Sequence, residues 1–191
     1  MLNRAFLALA VCAGASVAAA QPPERHLIPI DPKLTMFWTL TPYYSSVQDH
    51  LLGRSRVGCS VIAFPSFHNE WAVQVAYDRG QPFVLYASVD PQLWLAVNER
   101  MDKESTRLPQ AVRDLRVPVT RRIAPLVPRT ARTVQSAWDA MLTAARFPHE
   151  VRRVIDGTSY LFFTFDAGGT PRVGFTSSLQ AGTPPAALAH L

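Results

Sequence analysis

The feature that most constrains this chain is the stretch 58–64, Gly-Cys-Ser-Val-Ile-Ala-Phe, almost wholly apolar and closed by Pro65. A run this short and continuous is what a strand covered on both faces requires. Behind it Trp71, Val73, Val75 and Tyr77 alternate with Glu70, Ala72, Gln74 and Ala76. That is the period of two of a strand with one buried face. Residues 78–81 (Asp-Arg-Gly-Gln) read as a turn and Phe83 to Val89 as the return strand of a hairpin. On this pattern the Trp71 set faces the core, and His68 and Glu70 lie toward the rim of the hairpin's more polar face.

The flanking sequence supplies the other elements. Thr41-Pro42 followed by Leu51-Leu52-Gly53 has the cap, first-turn proline and terminal glycine of a short helix. Asp90-Pro91 has the same N-cap and N1 pattern for a helix running through Leu93, Trp94, Ala96 and Val97 toward Met101. Val117, Val119 and Ile123 mark one edge strand in a proline-broken region. Ala131, Val134, Trp138, Met141, Leu142 and Ala145 form an apolar stripe at helical spacing, which predicts a helix over about 129–146. A second hairpin is expected from Val151–Ile155 through Asp156-Gly157 to Thr158–Phe165, then a strand over Arg172–Ser177 and a short terminal helix opened by Thr183-Pro184.

Strands grouped in hairpins with helices between them, without regular β-α-β alternation, predict an α+β fold. The expectation is one mainly antiparallel sheet of about five to six strands, built from two hairpin or meander units, with the 129–146 helix on one face. A split two-sheet sandwich is the competing arrangement. Residues 58–191 form one such domain, and residues 21–57 are a proline-punctuated, extended arm and aromatic segment that packs on it.

The N-terminus carries an address. Met1 to Arg4 is a short positive region, Ala5 to Val17 is apolar, and Ala18-Ala19-Ala20 precedes Gln21, the pattern of a secretory signal peptide over residues 1–20. The apolar stretch is shorter than the roughly 20 residues that span a bilayer. Export to the periplasm or medium, with no transmembrane segment in the mature chain, is therefore expected. Lipoprotein processing at Cys12 is the alternative, weakened by bulky Val11 before it. With Cys12 removed, Cys59 is the single thiol, so no intramolecular disulfide is available. Its place in an apolar strand makes it a small buried hydrophobe.

Three residues at the corner after Pro65 carry the most concentrated chemistry. Ser66, His68 and Glu70 would share one side of an extended chain, offering a nucleophile, a base and an orienting carboxylate. Neighbours at i and i+2 project in parallel, however, and Ser66 lacks the Gly-x-Ser-x-Gly elbow of a hydrolase serine. His26, His50, His68, His149 and His190 are scattered without zinc-ligand spacing, so no metal is expected. No phosphate loop or dinucleotide fingerprint occurs, and no cofactor is expected.

The net charge of +5 falls to +4, 18 basic against 14 acidic residues, once Arg4 leaves with the leader. The charge is unevenly placed. Arg107, Arg113, Arg116, Arg121, Arg122, Arg129 and Arg132 face only Asp114 within one segment. With His68 and Glu70 these arginines are the candidate binding residues, for an acidic protein partner or an anionic envelope surface. An exported chain of such modest charge and without a nucleic-acid motif excludes DNA and RNA as partners. The resulting expectation is an exported bacterial protein that acts by binding, of the inhibitor or immunity type. The alternatives are a small envelope hydrolase using His68 with Glu70 or Ser66, and a structural accessory of an envelope complex.

Overall fold

The computed structural model describes residues 28–30, 41–53, 57–104, 107–112, 115–145, 157–165, 169–177, 179 and 185–186. Among these the chain runs β1 (Ile28–Ile30), α1 (Thr41–Leu52), β2 (Val57–Pro65), β3 (Trp71–Asp78), β4 (Gln81–Val89), α2 (Leu93–Glu104), α3 (Leu108–Ala111), β5 (Val119–Pro125), α4 (Pro128–Ala144), β6 (Thr158–Phe165) and β7 (Pro171–Thr176). The fold is α+β. All strand pairs are antiparallel in one sheet of order β1-β7-β6-β2-β3-β4-β5. Six of its strands are those read from the sequence. The seventh, three-residue β1, comes from the proline-punctuated arm and pairs Ile28 with Phe175 at the sheet's edge.

β2 lies between β6 and β3 at the centre, and its residues from Cys59 to Phe64 are all buried. The continuous apolar run follows from that position, because both of its faces are covered. Cys59 and Val61 face α4, packing with Ala131, Trp138, Met141, Leu142 and Phe162. Ile62 and Phe64 face the opposite layer, where Tyr43, Val47 and Leu51 of α1 meet Leu93 and Val97 of α2. β6 divides in the same way: Phe162 belongs to the α4 side, Leu161 and Phe163 to the other. The β3–β4 hairpin turns through Arg79 and Gly80, both at positive φ, which matches the twist of the strands it joins.

The structure corrects the facing of β3. Val75 is buried in the core under α4, with Trp71 and Val73 partly buried against it, but Tyr77 is exposed, and the opposite set Ala72, Gln74 and Ala76 is closed off as well, so both faces of β3 are covered. The alternation has the expected period, but the small residues lie under the α1/α2 layer, where helices approach the strand closely. The helix expected over 129–146 is α4, on one face as its stripe requires. The first arm of the second hairpin, Val151–Ile155, and most of the terminal helix fall outside the described residues.

Ser60 and Gln74 oppose each other across β2 and β3, both 1% exposed. Among the described residues, Ser60 Oγ and both amide atoms of Gln74 have no hydrogen-bond partner. A buried amide left unpaired is costly, so Gln74→Met, of similar length without polar atoms, is expected to raise stability by about 1–2 kcal/mol in denaturant titrations. A loss of stability would mean that the amide is satisfied in solution.

Candidate functional site

The corner between β2 and β3 is built by three tethers. Ser66 donates its backbone N–H to Gly157 O at 2.9 Å, donates its hydroxyl to the same carbonyl at 2.9 Å, and accepts the Gly157 N–H on Oγ at 3.3 Å. Buried Gln92 donates its amide to Pro65 O at 2.9 Å. Val89 donates its backbone N–H to Glu70 O at 3.1 Å, closing the hairpin end. Phe67, 74% exposed, and His68 project from the bend between these ties.

Glu70 is not on a rim. It is fully buried, and its carboxylate is shared among three donors from two helices. Tyr43 of α1 donates its hydroxyl to Oε1, Trp94 its backbone N–H to Oε1 at 3.1 Å, and Leu93 its backbone N–H to Oε2 at 2.8 Å. The first N–H groups of a helix have no partner within it and carry its positive dipole end. Glu70 therefore caps α2 from 23 residues upstream. The expected cap, Asp90, is exposed and among the described residues accepts only a long 3.4 Å bond from Asn69, while the Asp90–Pro91 peptide is cis and α2 begins at Leu93. The Tyr43 ring that reaches the Glu70 carboxylate packs against those of Tyr44, Phe64 and Trp94, with the Tyr43 and Trp94 centroids 5.0 Å apart. Burial, then the charge of Glu70 and their shared hydrogen bond, hold the Tyr43 phenol protonated far above its ordinary range.

Ser66, His68 and Glu70 make no hydrogen bonds to one another. Ser66 is committed to Gly157 and Glu70 to α1 and α2, while His68 stands apart on the bend. Among the described residues no three His, Cys, Asp or Glu side chains converge as a metal set.

The arginines are distributed along one border. Arg121 and Arg122 lie on β5, the last strand of the sheet, where Thr120 through Pro125 are all exposed. Arg121 pairs with Ala87 and donates to His50 O at the end of α1 at 2.7 Å, so it lies on the α1/α2 face. His50 places its Nε2 at 2.9 Å from Leu115 O, tying α1 to the approach to β5. Arg122 pairs with Tyr86, which stacks on Trp71 on the α4 face. Arg116 precedes the strand, and Arg129 and Arg132 follow it on α4, all exposed. Arg107 is exposed at the start of α3, and Arg113 lies outside the described residues. The seven therefore share no single face, and two of them point to opposite sides of one edge. Ile123, 67% exposed between these cationic positions, was not among the sequence candidates.

No protein-family model, curated protein or solved structure matches this chain. No helix among the described residues is long and apolar enough to cross a membrane.

Two measurements separate structural from surface roles here. Glu70→Ala leaves two helix N–H groups and a buried phenol unpaired and is expected to cost about 3 kcal/mol, whereas Asp90→Ala changes stability by less than about 0.5 kcal/mol. Equal losses in thermal melts would reassign the cap. Burial pushes the Cys59 thiol from 9.0 up to about 12. Above the lower value the unfolded chain releases a proton that the native state keeps, so this contribution is intact below about pH 9. Stability then falls by about 1.4 kcal/mol per pH unit as pH rises toward 12, with Tyr43 adding to the loss above about pH 10. Cys59→Ala should flatten the slope between about pH 9 and 10 in chemical denaturation.

Proposed function

We propose that this chain is an exported bacterial envelope protein that acts by binding an acidic protein partner, in the manner of an inhibitor or immunity protein. The observation that carries the reading is the exposed border strand β5, where Arg121 and Arg122 precede exposed Ile123 and make no ion pair with an acid among the described residues. Cations beside one apolar anchor are the composition of a protein-binding rim and core, with arginine favoured at such surfaces. The leader read at residues 1–20 supports export. The hydrolase alternative has less support, because the carboxylate it would draw on is spent on capping α2.

A strain lacking the gene, complemented with wild type or with Arg121→Glu/Arg122→Glu, tests the reading in survival beside competing cells. Wild type is expected to restore survival and the charge-reversed form to fail at equal abundance. Unchanged survival on deletion, together with ester, glycan or peptide hydrolysis that His68→Ala abolishes, would replace binding with catalysis.

A further inference from the structure

We propose that β5 is an addition site for one more strand, an extended acidic segment of the partner that pairs antiparallel with it and continues the sheet. The proposal rests on the binding reading and specifies how the partner is held.

The backbone decides which groups are free. In an antiparallel pair, consecutive residues alternate between exchanging hydrogen bonds with the neighbour and turning their N–H and C=O the other way. Two bonds bracket the β4–β5 ladder: Asp90 N–H to Pro118 O at 3.1 Å and Leu126 N–H to Pro82 O at 3.0 Å. In the same register, Ser88 pairs with Thr120, Tyr86 with Arg122 and Val84 with Ala124. The even-numbered residues of β5 are therefore turned inward to β4. Val119, Arg121 and Ile123 present their N–H and C=O groups outward, and no described strand lies beyond them. Pro125 falls on the outward set, where its missing N–H costs the sheet nothing and ends the docking row.

The side chains then select the occupant. An added strand places residues directly opposite Arg121 and Ile123 on the α1/α2 face and a residue opposite Arg122 on the α4 face, since opposed residues share a face. Read in the partner's own direction, the complement is an apolar residue followed by two acidic ones. The same charges disfavour a second copy of this chain, because the register overlapping all of β5 sets Arg122 against Arg122. Charge on an exposed edge is a common guard against such self-pairing. Main-chain bonding with alternate side chains read on each face is the established physics of strand addition.

The test uses amide hydrogen exchange on the full mature chain with two peptides matching the length of β5, Thr-Val-Ile-Glu-Glu-Thr-Val and its Lys-Lys counterpart. The acidic peptide is expected to slow exchange at Val119, Arg121 and Ile123, with Thr120, Arg122 and Ala124 protected from the start. Ile123→Pro removes one outward N–H without touching the β4 ladder, and this variant and Arg121→Glu/Arg122→Glu are each expected to weaken the peptide by about tenfold or more. Retained protection at Thr120 and Ala124 would show that each variant is folded. Binding of the acidic peptide without protection of the outward amides would overturn strand addition while leaving an acidic partner in place. No binding, or equal binding of the Lys-Lys peptide, would overturn the proposal, as would protection that rises with protein concentration alone, the signature of a second copy. The survival assay reads the binding function independently of these outcomes.

Discussion

The layer of helices over one face of the sheet depends on a single buried carboxylate. Glu70 sits at the start of β3 and holds α1 through the Tyr43 hydroxyl and α2 through the Leu93 and Trp94 N–H groups. Glu70 is fully buried, so each of these bonds works in a medium of low polarity, where it is stronger when made and costly when lost. A carboxylate with three donors in such a place fixes geometry more than it adds net stability, since its desolvation offsets much of what the bonds return. It sets where α2 begins and the position of α1 over the β2–β3 corner. Leu93 and Val97 then meet Val47 and Leu51 in one apolar layer.

With that layer in place, the central strand β2 is closed on both faces from Cys59 to Phe64. What remains available lies at its border. α4 takes the other face through Trp138, Met141 and Leu142, and the chain reaches α4 directly from β5, which among the described residues is paired on one side only. Arg121 is steadied by the carbonyl of His50 at the end of α1, a favourable place for a cation beside a helix C-terminus. The clamp at Glu70 and the charge at the border are thus linked through α1: one end of the helix is held by the carboxylate, and the other orients an arginine of the border strand.

Much of this was legible from residues alone. The continuous apolar run of β2 signalled a central strand, the stripe from Ala131 to Ala145 gave α4, and alternation with the Arg79-Gly80 turn gave the β3–β4 hairpin. The role of Glu70 was hidden because a charged residue before an alternating strand reads as a solvent-facing rim, and its donors come from residues 27 positions before it and 23 and 24 after it. One signal pointed the other way. The face carrying Glu70, Ala72, Gln74 and Ala76 has small residues where a wetted strand would carry lysine or threonine, and two segments of helical pattern, 41–52 and 93–104, needed a surface to cover. The arginines were found by count, but their division between two faces of one edge follows from strand parity and register, which composition does not contain.

Glu70 acting as a structural cap shared between α1 and α2 is measured most directly by a double-mutant cycle between Tyr43→Phe and Glu70→Gln. Denaturant unfolding of the wild type, both single variants and the double variant should give a coupling energy of about 1–3 kcal/mol, because the first substitution removes the partner that the second would lose. Additivity within about 0.5 kcal/mol would contradict it, and would mean that the carboxylate does not hold the phenol, and α1 with it, in place.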